Sequence, residues 1–328
     1  MDTNAIGLDI GGANLKLATD RGTAQSRPFA LWKHPEKLAA ELRDFTREMP
    51  PDIPVGVTMT GELCDCFRTK REGVRHIVSA TEEALPGRNI LYWTTEGQFV
   101  DAEAACENTI KVAAANWHAQ ATFVGRFAPH GFAFLMDMGS TTLDIVPLQN
   151  GEPVPFGKTD ADRLTTGELV YTGCRRTPLT ALLYGVCAEL FATVHDVHVI
   201  TGRLPEESDN RDTADGRPMT RKYAWERVAR MLGHDRHARR AKLDVARACE
   251  SVLVVQRRRW SDAMTGLQSM RNALAETVIV SGTGEFILRE WVGELTSRVV
   301  LLSDILGESI SYAACAYAVA VLRAERAR

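Results

Sequence analysis

Residues 9–14 read DIGGAN and residues 137–142 read DMGSTT, and each stretch closes a run of apolar, β-prone residues. In both places the small residues predict a tight turn, and the residues that follow alternate in polarity like a returning strand. Neither stretch has the helix-opening GK[ST] of a Walker loop or the strand, GxGxxG and helix of a dinucleotide fold. The sequence therefore contains two similar β-hairpins, which predict two related α/β lobes.

The composition is that of an ordinary globular protein, with 45% hydrophobic and 25% charged residues and a formal net charge of -3. A chain of 328 residues exceeds one compact core, so we predict a first lobe at 1–125 plus 305–328 and a second lobe, with a helical insertion, at 126–304. The charge gives no chain-wide attraction to nucleic acid or acidic membranes. No apolar run approaches the ~20 residues that span a bilayer, and the N-terminus lacks the features of a signal peptide. We expect a cytoplasmic protein with small-molecule substrates and no nucleic-acid or membrane partner; its oligomeric state is left open.

Seven cysteines are present, an odd number without repeated CxxC pairs, so we expect reduced thiols and not a disulfide framework. Cys64 and Cys66 could together ligate a soft metal. No second ligand pair with zinc-site spacing accompanies them, so packed thiols are the simpler expectation.

The two hairpins have the chemistry of an anion site. A strand end delivers a carboxylate, glycines turn the chain, and the backbone N–H groups of the turn can converge on an anionic oxygen. Because a carboxylate repels phosphate, Asp9 and Asp137 are predicted to hold Mg²⁺, usually through water, and the metal neutralises the phosphate. The predicted phosphate-binding residues of the two hairpins are Gly11, Gly12, Asn14, Lys16, Gly139, Ser140, Thr141 and Thr142.

Two further motifs complete an ordered set, VDAEAA at residues 100–105 and VIVSGTGE at residues 278–285. The four motifs resemble the phosphate-one, connector-one, phosphate-two and adenosine motifs of the actin, Hsp70 and sugar-kinase superfamily. The alanine-rich residues 309–322 are similar to its second connector helix. The resemblance implies a two-lobed α/β fold, actin-like ATPase (ribonuclease H-like), with an interlobe cleft. It adds a third phosphate-binding turn, Gly282, Thr283 and Gly284. This turn lacks the usual glycine pair, so ATP binding is left open.

The residue singled out in the second motif is Asp101. In sugar kinases of this superfold, a matching connector supplies the general base that takes a proton from the attacking hydroxyl, so the resemblance implies that catalytic role for Asp101. From the sequence alone, Asp101 is also a favourable helix N-cap. The two roles are compatible and both are kept.

Several segments resemble a narrower family: GGANLK at 11–16, MTGELCD at 59–65, TGELVYTG at 166–173, RTP at 176–178 and SGTGE at 281–285. They are similar to the tetrahydromethanopterin-linked C1-transfer pathway proteins, which are related to hydantoinase A and oxoprolinase. Archaeal relatives in methanofuran biosynthesis join an aminomethylfuran-methyl diphosphate to γ-glutamyltyramine as an aryl ether and release pyrophosphate. The resemblance implies such a transferase, with Mg²⁺ in its site. The alternatives are an ATP-dependent small-molecule kinase or a hydantoinase-like ATPase of the same superfold.

The residues peculiar to the family are candidates for the organic ends of the substrates. Three of them follow a predicted strand and are expected to line the lobe interface, where Glu62 could pair with the aminomethyl cation or be an ordinary loop carboxylate. Two arginines could bind glutamate carboxylates bidentately or lie on a solvated face. The predicted substrate-binding residues are Thr60, Glu62, Asp65, Glu168, Arg175 and Arg176.

Overall fold

The computed structural model describes residues 4–293 and 298–326. Six strands form the first sheet: β1 (Ile6–Ile10), β2 (Asn14–Thr19), β3 (Ala24–Pro28), β4 (Val55–Met59), β5 (Ile90–Trp93) and β6 (Phe99–Val100). Their order is β3-β2-β1-β4-β5-β6. The first three strands form an antiparallel meander, and β4 and β5 run parallel to β1.

The second sheet repeats this plan. It contains β7 (Phe132–Met138), β8 (Leu143–Gln149), β9 (Glu152–Pro153), β10 (Leu169–Val170), β11 (Thr277–Ser281) and β12 (Arg298–Leu301). The order is β10-β8-β7-β11-β12, with β9 paired to β8. Again a central hairpin, β7–β8, is antiparallel, and two further strands run parallel to its first strand. The predicted α/β fold with two related sheets is confirmed.

The helices are α1 (Leu38–Phe45), α2 (Lys70–Ala84), α3 (Ala102–Glu107), α4 (Thr109–Val112), α5 (Asn116–Val124), α6 (Asp160–Thr166), α7 (Val194–Ile200), α8 (Arg221–Met231), α9 (Ala241–Arg271), α10 (Glu285–Val292), α11 (Leu302–Leu306), α12 (Glu308–Tyr312) and α13 (Ala314–Glu325). The middle group, α7 to α9, packs around its own apolar cluster and forms a helical insertion in the second half of the chain. No helix in the described residues is long and apolar enough to cross a membrane.

Two helices join the sheets. α13 packs on β1, β2 and β4 and along α5, and α5 also contacts β7 and β8 of the second sheet. Glycines in the core strands permit the close approach of α13. A Cβ at Gly7 would overlap the backbone of Ala316, and a Cβ at Gly56 would lie 2.5 Å from the side chain of Val319. The small residues of the last helix therefore serve helix–sheet packing.

Two helical regions are divided into shorter helices. Residues 102–117 fold as α3, α4 and the start of α5, with Ala114 at a positive φ of 47° between them. Residues 309–322 are divided between α12 and α13 at Ala313. The lobe boundaries given above stay predictions. Parts of those lobes, residues 1–3, 294–297 and 327–328, lie outside the described residues.

Candidate active site

The two hairpin turns share one backbone geometry. The Gly11 N–H donates to the Asn14 carbonyl at 3.1 Å, and the Gly139 N–H donates to the Thr142 carbonyl at 2.9 Å. Between these residues, some turn N–H groups have no acceptor in the part of the chain that the structure describes; they belong to Gly12, Ala13, Ser140 and Thr141. Consecutive free N–H groups in a turn make an anion-binding concavity. The phosphate-binding role of these turns stays a prediction that their free donors support.

Asp9 lies beneath the first turn and is only 4% exposed. Its Oδ2 lies 3.7 Å from Lys16 Nζ, and its Oδ1 has no hydrogen-bond partner in the protein. Burial raises the pKa of the Asp9 carboxyl; the Lys16 charge opposes this rise and the negative charge of Asp137 adds to it. The two strand-end carboxylates, one from each sheet, therefore repel each other electrostatically.

Asp137 is held by residues from two other segments. Its Oδ1 accepts hydrogen bonds from Gln120 Nε2 at 3.0 Å and from Ser281 Oγ at 2.5 Å. Gln120 lies on α5 and is fully buried, and its Oε1 accepts from Cys315 Sγ on α13 at 3.1 Å. The sequence motifs did not include Gln120. It is one of several polar residues in α5, and a polar residue in a helix does not by itself indicate a function.

These carboxylates fit a magnesium ion that arrives with a polyphosphate. Within residues 4–293 and 298–326, no three His, Cys, Asp or Glu side chains lie together as a metal site. Mg²⁺ typically keeps several waters and uses one or two carboxylates plus substrate phosphates. Asp9 offers its unpartnered Oδ1, and both hydrogen bonds to Asp137 use Oδ1, which leaves Oδ2. The donor set suits Mg²⁺; the assignment stays a prediction.

The segment at 60–65 packs directly on the first turn. The Thr60 N–H donates to the Ile10 carbonyl at 3.0 Å, and a Cβ at Gly12 would lie 2.7 Å from Cys64 Sγ. Thr60 is exposed beside Gly11. Burial raises the pKa of Cys64 to about 11, so its thiol stays protonated next to the turn. The segment thus brings family-specific side chains to the phosphate turn.

Glu62 is buried by this arrangement. It is 1% exposed, and its Oε2 has no hydrogen-bond partner. A Cβ at Gly73 would overlap the Glu62 backbone, so α2 lies directly against it. Burial raises the pKa of Glu62 to about 7, an effect to which the charges of Asp160 and Asp9 add and which Lys70 opposes. A carboxyl group this enclosed does not reach an ammonium group in an open cleft, so the pairing with an aminomethyl cation would require it to be uncovered.

A second segment packs on the other turn in the same way. The Cys174 N–H donates to the Gly139 carbonyl at 3.1 Å, and the N–H groups of Arg175 and Arg176 donate to the Ser140 carbonyl at 3.0 and 2.8 Å. A Cβ at Gly173 would lie 2.6 Å from the backbone of the turn. These hydrogen bonds fix the carbonyl groups of Gly139 and Ser140. Because each carbonyl shares a rigid peptide with the next N–H group, the free N–H groups of the turn have a fixed orientation.

The two neighbouring arginines extend to different partners. Arg175 Nη2 lies 2.9 Å from Glu207 Oε1, and its Nη1 lies 3.4 Å from His195 Nε2. Arg176 is exposed, and its guanidinium lies 5.5 Å from the centroid of the Trp32 ring, which follows the first sheet's β3. Arg176 therefore bridges the two halves of the protein, whereas Arg175 is paired within its own half.

The substrate-binding role of Glu168 stays a prediction, and its contacts do not support it. Glu168 is fully buried, and its Oε1 accepts from the Phe156 N–H at 2.7 Å. Its Oε2 accepts from the Gly157 N–H and from Thr166 Oγ1, each at 2.7 Å. Both oxygens are therefore used to fix the loop before α6, and neither is available to a ligand.

Asp101 is a helix cap. Its Oδ1 accepts from the Ala104 N–H at 2.9 Å, and its side chain is exposed at the start of α3. α3 packs on α2, α4 and β5, whereas the helix that reaches the second sheet is α5. The first connector is therefore α5 and not the Asp101 segment. The hydrogen bond of its side chain is made within its own helix, so the structure supports the cap, and the catalytic role stays a prediction.

The third turn uses its amides inside the protein. The Gly284 N–H donates to the Met138 carbonyl at 2.8 Å, and the Gly282 N–H donates to Ser311 Oγ at 3.2 Å. Gly282 has a φ of 93°, and a Cβ there would overlap the Met138 carbonyl. These two glycines therefore serve the packing of β11 against β7. Phosphate binding at this turn stays a prediction, and its best remaining donor is the Thr283 hydroxyl, which lies 3.4 Å from Cys174 Sγ.

Comparison with known proteins places the chain among relatives of one kind. The sequence profile described as Hydantoinase/oxoprolinase matches residues 54–326. A protein of Methanocaldococcus jannaschii, named (4-{4-[2-(gamma-L-glutamylamino)ethyl]phenoxymethyl}furan-2-yl)methanamine synthase, is 32% identical over 97% of this chain and 96% of its own length. A Methanococcus vannielii protein of the same name is 28% identical over 57% of this chain and 89% of its own length. Among solved structures, nucleotide-free acetone carboxylase superposes with a TM-score of 0.53 and 10% identity over 97% of this chain and 70% of that one, a likeness of fold.

Proposed function

This chain belongs to the hydantoinase/oxoprolinase family, and we propose that it forms an aryl ether between an aminomethylfuran-methyl diphosphate and γ-glutamyltyramine, or a related phenol, with release of pyrophosphate. The observation that carries the proposal is the 32% identity over 97% of this chain to a synthase whose name describes that ether. The relative's product joins a furan-bearing methylene to the oxygen of a phenol that carries a γ-glutamylaminoethyl group. The site described above supports the proposal because it combines two anion-binding turns with two strand-end carboxylates.

The reaction is a substitution at the furan-bearing methylene. The phenolic oxygen forms a bond to this carbon as the bond from the carbon to the diphosphate oxygen breaks, and pyrophosphate leaves with the electron pair. The phenolic proton passes to a base. No nucleotide is consumed in this balance. Most of the barrier lowering must therefore come from stabilising the negative charge that develops on the departing diphosphate.

The hairpin turns would bind the diphosphate. The free N–H groups of Gly12, Ala13, Ser140 and Thr141 can donate to its oxygens, and Lys16 supplies a positive charge beside the first turn. Asp9 and Asp137 would hold Mg²⁺, which when bound neutralises charge on the leaving group. Since the carbonyl groups of the second turn are bonded from behind, its donors need no reorganisation during the reaction.

The phenolic proton requires an acceptor, and two carboxyl groups compete for this role. Asp101 has the resemblance to the sugar-kinase connector in its favour, but it is an exposed helix cap. Glu62 has an unpartnered oxygen, and burial raises its pKa to about 7, which is suited to proton transfer near neutral pH. This role requires substrate binding to uncover Glu62, and on that condition we place Glu62 ahead of Asp101 as the acceptor.

The organic ends of the substrates would contact the segments behind the turns. Thr60 and Asp65 are exposed beside the first turn, so the Asp65 carboxylate is the partner that we propose for the aminomethyl cation. Arg175 and Arg176 remain the proposed partners of the glutamate carboxylates. For Arg175 this requires exchange of the ion pair with Glu207.

The deciding assay mixes the protein, Mg²⁺, aminomethylfuran-methyl diphosphate and γ-glutamyltyramine without nucleotide. We expect mass spectrometry to detect the ether and a coupled assay to detect an equal amount of pyrophosphate. Chelation of Mg²⁺ should stop both. If no ether forms without ATP, and ADP appears when ATP is added, the protein is a kinase of the same fold and the proposal is rejected.

A further inference from the structure

Trp32 is fixed to the first hairpin by its neighbour in sequence. Leu31 is fully buried, and its N–H donates to the Gly12 carbonyl at 2.9 Å. A Cβ at Gly61 would lie 2.6 Å from the Leu31 side chain, so Leu31 is also packed against the segment behind this turn. Trp32 itself is 36% exposed. A large aromatic side chain is therefore presented to solvent one residue away from a direct contact with the phosphate turn.

Two cations lie close to the Trp32 ring. Arg176 comes from the opposite half of the protein, with its guanidinium 5.5 Å from the ring centroid, and Lys33 Nζ lies 5.9 Å from the same centroid. The Arg176 backbone is bonded to Ser140 in the second turn. The positive charge of Arg176 also acts to lower the pKa of the Cys64 thiol, which lies against Gly12 and whose pKa is raised by burial. Trp32 and Arg176 thus connect the segment bonded to the first turn with the segment bonded to the second turn.

We infer that Trp32 is the ring-binding residue of the site, and that its indole receives the furan ring of the diphosphate substrate. The inference rests on the proposed function for the identity of the ring. A ligand with an aromatic ring one methylene from a diphosphate needs an aromatic surface close to the phosphate turn and positive charge beside it. Trp32, Arg176 and Lys33 supply that combination. In the ligand-free arrangement the Arg176 guanidinium lies beside the indole. The furan takes its place there, and the guanidinium becomes free for the glutamate carboxylate that is proposed as its partner.

The furan is assigned in preference to the phenol because few covalent bonds separate the furan ring from the diphosphate. The furan is tied to the diphosphate by one methylene, so it must lie near the turns, whereas the phenol is a separate molecule. Stacking also serves the chemistry. As the carbon–oxygen bond to the diphosphate breaks, positive charge develops on the furan-bearing methylene, and an aromatic face attracts positive charge. Trp32 is therefore a specificity-determining residue that also favours the transition state.

The test compares two ligands on the whole protein in the presence of Mg²⁺. Calorimetry is run with inorganic pyrophosphate and with aminomethylfuran-methyl diphosphate on wild type and Trp32→Leu. We expect the variant to bind pyrophosphate like wild type but to bind the furan diphosphate about tenfold more weakly, the scale of one aromatic contact. Trp32→Phe, which keeps a ring, should recover part of the loss. Trp225→Leu, a partly buried tryptophan on α8 in the insertion, should change neither affinity.

The outcomes separate the inference from the proposed function. If wild type binds the furan diphosphate more tightly than pyrophosphate and Trp32→Leu keeps that preference, the ring assignment is overturned while the proposed function stands. If Trp32→Leu raises the KM for the phenolic substrate and leaves the furan diphosphate affinity unchanged, the indole binds the other ring and the inference is likewise wrong. If wild type binds pyrophosphate but shows no preference for the furan diphosphate, the proposed substrate is wrong, and the inference falls with it.

Discussion

Gln120 Nε2 donates a 3.0 Å hydrogen bond to Asp137 Oδ1 from α5, the helix that packs on both sheets. The same amide nitrogen lies 2.6 Å from Ser281 Oγ, and Gln120 Oε1 accepts from Cys315 Sγ. One buried side chain thus orients a carboxylate of the second sheet from a helix that also contacts the first. The orientation of the Asp137 carboxylate therefore depends on the positions of α5, which carries Gln120, and of α13, which carries Cys315.

Gln120→Leu should weaken binding of Mg²⁺-pyrophosphate by tenfold or more. The substitution keeps the volume of the side chain but removes the donor that orients Asp137, and outer-shell partners of metal ligands typically contribute 10–100-fold. Calorimetry on the folded variant measures the affinity, and circular dichroism checks the fold. An unchanged affinity would mean that Ser281 alone is enough to hold Asp137.

Asp9→Asn and Asp137→Asn should each reduce metal-dependent pyrophosphate affinity by at least tenfold, as expected when a metal-site partner is lost. Asp9→Asn also removes a buried carboxylate beside Lys16, so its thermal stability should be recorded with the affinity. Pyrophosphate titrations with and without Mg²⁺ give the measurement. Equal affinities in wild type and both variants would remove the two residues from the metal site.

Two substitutions at Asp101 separate a cap from a base. Asn is as good an N-cap as Asp, so Asp101→Asn should keep both stability and turnover if the residue is a cap, whereas Asp101→Ala should cost about 1 kcal/mol. Denaturant unfolding and the ether-forming assay give the two readouts. A loss of turnover by ~10²–10⁴ in Asp101→Asn would restore the general-base role. Under the same assay, Glu62→Gln is the variant in which we expect that loss.

Glu62 should make the protein less stable as pH rises. Its folded-state pKa of about 7 lies above its ordinary value of 4.5, so the folded protein binds the proton more tightly than the unfolded chain does. Its contribution is therefore largest below about pH 4.5 and is lost as pH rises through 7, by up to about 3 kcal/mol in total. Glu62→Gln should flatten this dependence relative to wild type, as followed by urea unfolding between pH 5 and 8. Glu48→Gln, at an exposed glutamate, should leave the wild-type slope unchanged.

Gly173→Ala should damage the second phosphate turn. The added Cβ would lie 2.6 Å from the backbone of Gly139, Ser140 and Thr141, so the turn or the segment behind it must move. We expect lower stability together with weaker pyrophosphate binding. Gly266→Ala is the matched control, because it lies inside α9 with nothing within 4 Å of the added Cβ. That control should gain up to about 1 kcal/mol from helix propensity and bind pyrophosphate normally.

The hairpins could be predicted from the sequence because a strand, a small-residue turn and a returning strand are local features. The order of the motifs then indicated two related lobes, and both sheets have that plan. Gln120 could not be found in this way. Its partners Asp137, Ser281 and Cys315 come from distant segments, and the sequence of α5 does not indicate which way a polar side chain in it points.

Glu168 and Asp101 show the same limit of local patterns. Glu168 lies in a family-specific segment, but only the three-dimensional contacts show that both of its oxygens bond to the loop before α6. For Asp101, the sequence pattern of a connector and that of an N-cap coincide, and the packing of α3 decides for the cap. Family resemblance identified which segments matter, whereas burial determined what each side chain in them can contact.

Glu207 forms an ion pair with Arg175 and therefore competes with any ligand carboxylate for that arginine. A carboxylate that diffuses in from solution has to displace Glu207, whose local concentration around the arginine is fixed by its attachment and does not fall on dilution. A simple carboxylic acid would gain little binding free energy by displacing Glu207. A carboxylate tethered to a group that is already bound elsewhere in the site would compete on equal terms, since its own binding is then intramolecular as well. Arg175 would therefore select ligands by what their carboxylate is attached to.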